Sequence, residues 1–152
     1  DPSFSTSGFA RQIAAIEAGL QPPEIRVGNL DAARDLTDVR DTVRAYRAIA
    51  ERGQHGRPYN VCSGRALRIQ DMLDRLLERS RVPIRVVVAP ARYRPNDTPL
   101  VLGSHQRIQQ ELGWQPSIAL DRTLDDLLGY WRARDLNLPH PGLRGTLGGL
   151  RL

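Results

Sequence analysis

Hydrophobic and polar positions alternate along this chain in a way that separates helices from strands. Between Ser3 and Leu20 the apolar side chains Phe9, Ile13, Ile16 and Leu20 recur at the three-and-four spacing of one helix face. Ser5, Thr6 and Ser7 offer N-caps, and Gly19 followed by Pro22-Pro23 ends the helix. Glu24-Ile25-Arg26-Val27 alternates polar and apolar residues and reads as a short strand. A charged loop carrying Arg34 follows, and Thr37 or Asp38 caps a second helix. Its apolar face is expected at Val39, Val43, Tyr46, Ile49 and Ala50, with a stop at Gly53.

Pro58 to Gly64 reads as a compact strand and turn. A third helix carries Ile69, Met72, Leu73, Leu76 and Leu77 on one face, and the β-branched run from Ile84 to Val88 predicts a strand closed by Pro90. Arg92 to Asp97 is a loop. Ser104 caps a short helix through Ile108 and Leu112 that ends at Gly113, and Asp121 caps a last helix through Leu124, Leu127, Leu128 and Trp131. After Leu136 the chain turns to Gly, Pro, Leu and Arg without a period, so residues 1–136 form the ordered portion and 137–152 a mobile tail.

The predicted order is α, β, α, β, α, β, α, α, an α/β class. Three strands are too few for a self-sufficient doubly wound sheet. Asp1-Pro2-Ser3-Phe4 also runs straight into a helix. The expectation is therefore a piece of a longer α/β protein.

Composition narrows the function classes. The 152 residues are 40% hydrophobic and 26% charged, the make-up of a globular domain. The longest apolar runs fall far short of the roughly 20 residues that cross a bilayer, so a membrane partner is not expected. The single cysteine, Cys62, excludes an intramolecular disulfide and points to a reducing cytoplasm. All 22 basic residues are arginine and none is lysine, for a net charge of +5. The arginines are spread along the chain, often beside acids as in Arg34-Asp35, Arg40-Asp41, Glu51-Arg52 and Glu78-Arg79, and aromatics are 5%. A nucleic-acid binder would cluster them instead, so nucleic acid is not the expected partner.

Catalytic constellations are sparse. His55, His105 and His140 lie in a turn, a helix start and the tail, without the i, i+4 pairing of a metal site. Cys62 has no histidine placed to activate it and reads as a small packing residue. Asp125-Asp126 reads as a solvated helix face. There is no Gly-x-Gly-x-x-Gly and no Gly-x-x-x-x-Gly-Lys to cradle a dinucleotide or triphosphate. Binding features are clearer: Arg34 follows a strand, and Arg94, with Asp97 three residues on, follows another. Ligands of α/β proteins sit beyond strand ends, where two arginines can neutralise a diphosphate and a carboxylate can hold sugar hydroxyls. Spacing alone leaves a second reading open, in which Arg34 and Asp35 pair with neighbouring surface charges.

Five segments taken in order carry a resemblance. They are VGNLDAARDLTDVRD at 27–41, YNVCSG at 59–64, RYRPND at 92–97, GSH at 103–105 and LGWQP at 112–116. Together they resemble the extended short-chain dehydrogenase/reductases that act on nucleotide sugars. Within these they resemble the GDP-mannose 4,6-dehydratase and GDP-4-dehydro-6-deoxy-D-mannose reductase group, over residues 3–134. Asp-Leu-Thr-Asp-Val-Arg-Asp and Tyr-Asn-Val-Cys-Ser-Gly look more like the reductase.

The resemblance implies an extended Rossmann-type fold whose dinucleotide-binding half, which would hold NADP or NAD, is absent here. That half also carries the family's Tyr-x-x-x-Lys, which a chain without lysine cannot supply, so Tyr59, Tyr93 and Tyr130 are not catalytic tyrosines and no catalytic residue is expected. What remains would be the C-terminal portion that holds a GDP-linked deoxyhexose, inactive alone, in a cytoplasmic parent that is a homo-oligomer. By the same resemblance Arg34 contacts the diphosphate, Arg94 the phosphate and Asp97 the ribose hydroxyls. Asp97 is one methylene shorter than the glutamate usual in the dehydratases. Ser5 and Gly8 align with the start of the substrate-lining helix, Gly8 standing where the dehydratase has a lysine. A dehydratase of the same group and a stand-alone GDP-binding module are the alternatives.

Overall fold

The computed structural model describes residues 4–92 and 98–134. The first helix, α1 (Ser5–Glu17), buries Phe9, Ala10, Ile13 and Ile16, as the spacing predicts, while Leu20 beyond its end is exposed. Its N-cap is Phe4, which has no capping side chain. The expected cap hydroxyls are used elsewhere: Thr6 Oγ1 donates to Met72 Sδ at 3.0 Å, and Ser7 Oγ accepts from Trp131 Nε1 at 3.1 Å. Gly19, at φ 72°, closes the helix in the left-handed conformation that suits glycine, as Leu20 N–H returns to Ala15 O at 2.9 Å.

Two small sheets follow. Strand β1 (Glu24–Val27) pairs in parallel with β4 (Arg85–Val88), Ile25 opposite Val86. The second sheet has the order β3-β2-β5, with β2 (Ala33–Asp35) between antiparallel β3 (Ala66–Arg68) and parallel β5 (Leu100–Val101). The expected strand within Pro58–Gly64 is not formed; that segment has no ladder, and pairing begins at Ala66. A single 3₁₀ turn, Pro90–Arg92, follows β4.

Helices α1, α3 (Ile69–Glu78) and α5 (Leu120–Arg132) pack on one another and on β1. Phe9, Ile13, Ile25, Val27, Ala32, Met72, Leu73, Leu76, Leu124, Leu128 and Trp131 form one buried cluster. Burying side chains of this size stabilises by about 1.5–3 kcal/mol each, before chain entropy is counted. A second cluster joins α2 (Val39–Arg52) to α4 (Gln106–Leu112) through Ala45, Ala48, Ile108, Leu112 and Trp114. Asp38 caps α2 by accepting from Arg40 N–H at 2.8 Å. The N-cap of α4 is His105, one residue after the expected Ser104, and that of α5 is Ala119, two residues before the expected Asp121, which stands in the first turn instead.

The face of α2 departs from expectation. Val39, Val43 and Tyr46 are exposed, Ala50 is exposed, and the helix buries Asp41, Ala45 and Ala48 instead. The helix turns its small residues inward because Trp114 lies against it, its indole Nε1 donating to Asp41 O at 3.0 Å. Asp41 can be fully buried because its carboxylate is saturated by Ser117 N–H and Ile118 N–H, each at 3.0 Å, and by the Arg44 guanidinium.

Candidate functional site

Arg34 occupies the middle of β2, opposite Leu67 on one side and Val101 on the other. The loop expected there is corrected to a strand: Ala33-Arg34-Asp35 is half-buried throughout and has no apolar alternation, so only the long-range ladder reveals it. Arg34 Nη1 donates to its neighbour Ala33 O at 2.9 Å and to Thr98 O at 2.6 Å. Ala33 N–H donates to Pro99 O at 2.7 Å, so strand and guanidinium both grip the chain just past residue 97. A guanidinium tied at one edge keeps a set direction, which is the requirement for bidentate recognition of a phosphate. Arg94 and Asp97 lie outside the described residues.

Among the described residues Asp35 forms no ion pair with an arginine. Its carboxylate accepts Ser63 N–H at 2.7 Å, Ser63 O–H at 2.6 Å, Gly64 N–H at 2.9 Å and Gly103 N–H at 3.4 Å. One carboxylate thereby fastens two turns, 63–64 and 103, to the strand carrying Arg34. Gly64, at φ 74°, packs beside the His105 ring, and a Cβ on Gly103 would lie 2.7 Å from Cys62 Sγ. Cys62 is half-buried; burial, with the Asp35 charge adding, pushes its thiol up and away from nucleophilic use. Among the described residues no group of three His, Cys, Asp or Glu side chains could hold a metal ion.

Two further carboxylates hold the entry to α2. The Arg40 guanidinium keeps the Asp38 carboxyl far below the usual range, aided by Thr123 O–H at 2.7 Å and against the effect of burial. Burial pushes the Asp41 carboxyl up, and Arg44 with the two backbone donors outweighs it, leaving the carboxyl below its ordinary value. Asp35 and Asp41 are not readable as anchors from sequence, because their backbone donors lie 28 to 77 residues away. Asp125 and Asp126 are exposed as expected, in ion pairs with Arg79 and with Arg40 and Arg122.

Ser5 and Gly8 sit in the first two turns of α1, Ser5 exposed and Gly8 half-buried. They belong to a different element from Arg34, yet the two regions share one core: Phe9 and Ala10 of α1 are buried in the same cluster as Val27 and Ala32.

The chain combines a strand-borne arginine, carboxylate-fastened loops beside it and three packed helices with short parallel and mixed sheets, an α/β arrangement. It belongs to the GDP-mannose 4,6 dehydratase family, whose pattern matches residues 1–127. Over 132 residues it is 37% identical to the GDP-6-deoxy-D-mannose reductase of Pseudomonas aeruginosa, covering 87% of this chain and 43% of that protein. It is 26% identical to the GDP-mannose 4,6-dehydratase of Sinorhizobium fredii over 132 residues, covering 74% of this chain and 37% of that one. The solved structure of RMD from Pseudomonas aeruginosa complexed with NADPH matches with a TM-score of 0.82 at 34% identity, over 89% of this chain and 44% of that chain. The chain thus spans less than half the length of these relatives. The expected family and the α/β class are borne out.

NADPH in RMD raises the question of whether these residues fit a dinucleotide. Gly28, the glycine that ends β1, is no cradle: a Cβ there would meet Arg92 O at 2.4 Å, so protein backbone already fills the space. With no Gly-x-Gly-x-x-Gly in the sequence and the space beside Gly28 filled by backbone, the described residues offer no cradle for a nicotinamide dinucleotide.

Proposed function

We propose that this chain is the substrate-binding portion of a nicotinamide-dependent nucleotide-sugar reductase that converts GDP-4-dehydro-6-deoxy-D-mannose to GDP-6-deoxy-D-mannose. Its own task is to hold the GDP moiety. The observation that carries the reading is Arg34, fixed on β2 by Thr98 O and Ala33 O at the end of the segment that contains Arg94 and Asp97. Arg34 would take the diphosphate, Arg94 a phosphate oxygen and Asp97 the ribose hydroxyls. Ser5 and Gly8 would line the sugar side. Holding the nucleotide in one pose is catalysis by positioning: it raises the effective concentration of the keto carbon at the hydride donor. The NADP or NAD, and the proton donor, belong to parts of the enzyme other than these residues.

The reductase is preferred over the dehydratase because identity is 37% to the one and 26% to the other. Gly8 in place of a lysine supports the same choice. The test is calorimetric titration of the 152-residue chain with GDP and UDP, alongside an assay of keto-sugar reduction with NADPH. Binding of GDP in preference to UDP without turnover is expected. Absence of GDP binding, or measurable reduction by this chain, contradicts the proposal.

A further inference from the structure

A cleft of about 290 Å³ opens between α1, β1 and the 3₁₀ turn, with Arg11, Gln12, Gln21, Glu24, Arg26 and Arg92 in its walls. Three arginines line this one opening. Many arginines elsewhere in the chain are matched with acid, as in Arg40 with Asp38, Arg79 with Asp125 and Arg132 with Glu17. Among the described residues no carboxylate pairs with Arg11, Arg26 or Arg92. Glu24, the acid in the wall, is engaged by Arg85.

The three stems stand on fixed supports. The Arg11 guanidinium lies 6.0 Å from the centroid of the Trp131 ring, whose π-face favours a cation. Gln12 clamps Arg26 from the open edge of β1, accepting its N–H at 2.9 Å and donating to its carbonyl at 3.2 Å. Arg92 N–H donates to Ala89 O at 2.9 Å, and its carbonyl is packed against Gly28. Like charges around one cleft repel one another, and a bound anion relieves that repulsion without having to order the side chains' supports.

We propose that this cleft binds a phosphate-bearing polyanion, at a site separate from Arg34. Three guanidiniums match the charge of two linked phosphates, and planar N–H forks match their oxygens. The site is built on α1, β1 and the turn after β4, whereas Arg34 stands in the other sheet. The inference therefore stands or falls independently of the GDP-holding role.

The experiment is titration of the 152-residue chain with pyrophosphate at about 0.15 M salt, following the arginine Nε–H resonances by NMR. Saturable shifts of Arg11, Arg26 and Arg92 are expected. Arg26→Gln and Arg92→Gln should each weaken the affinity read from these resonances by about fivefold or more with an unchanged thermal midpoint, and Arg47→Gln, on the exposed face of α2, should leave it alone. Unshifted resonances, or an affinity indifferent to R26Q and R92Q, overturns the proposal. Loss of affinity in R34Q alone also overturns it, and assigns the anion to Arg34.

Discussion

The Asp35 carboxylate accepts both the backbone N–H and the hydroxyl of Ser63, at 2.7 and 2.6 Å. Together with Gly64 N–H this makes Asp35 the fastening point for the turn beside Arg34. Asp35→Ala leaves these donors without their acceptor and should cost about 2–4 kcal/mol of stability, measured by urea unfolding. Asp35→Asn, which keeps one acceptor oxygen, should cost less. An unchanged midpoint in D35A would show that the turn is held by other means.

Asp41 is the corresponding anchor in the second core. It is fully buried and takes two backbone donors and Arg44, so Asp41→Ala should destabilise by roughly 3–5 kcal/mol. The exposed helical pair Arg47 and Glu51 is the contrast: Glu51→Ala should change stability by about 0.5 kcal/mol or less. Equal effects from the two substitutions would contradict the burial assigned to Asp41.

The orientation of α2 is open to the same kind of check. Val43 is 60% exposed and Ala45 is fully buried against α4 and Trp114. Val43→Ser should alter stability by about 0.5 kcal/mol or less, whereas Ala45→Leu overpacks the interface and should cost about 1–3 kcal/mol. The reverse ranking would restore the face expected from the sequence.

That face shows where sequence reading succeeds and where it stops. The 3.6-residue period found α1, α3 and α5 because each turns large side chains into one core, and β1 and β4 were found from alternation and β-branching. On α2 the large apolar residues lie outward and alanines inward, so a rule that equates size with burial picks the wrong side. Strands β2, β3 and β5 are two or three residues long and mostly polar or exposed; their existence depends on partners 31 to 67 positions apart. Arg34 stands out in the sequence as a candidate binding residue from its motif. Its place in a strand, and the Asp35 and Asp41 anchors beside it, do not, because hydrogen bonds from distant backbone leave no local trace.

Acid should act through a small group of carboxyls. Arg132 holds the Glu17 carboxyl down, Arg40 holds Asp38 down, and Asp41 is held down against its burial. In the unfolded chain such groups protonate near pH 4, and in the folded chain at lower pH. The unfolded state therefore binds more protons in this window, and stability rises with pH through it. Stability should be flat above about pH 5 and fall as pH drops through 4 and below. Asp38→Asn, which keeps an acceptor for Arg40 N–H but does not titrate, should flatten the acid limb in unfolding measured from pH 2 to 7. An unaltered limb would remove Asp38 from the group.

The central claim is that Arg34 holds the diphosphate of a GDP-linked sugar. Calorimetric titration of GDP into the 152-residue chain and its Arg34→Gln variant, each first shown to be folded by its unfolding midpoint, tests it most directly. A charge-assisted bidentate contact is worth about 1.5–3 kcal/mol, so R34Q should weaken GDP binding by roughly ten- to a hundredfold. Equal affinity in the two proteins would contradict the claim.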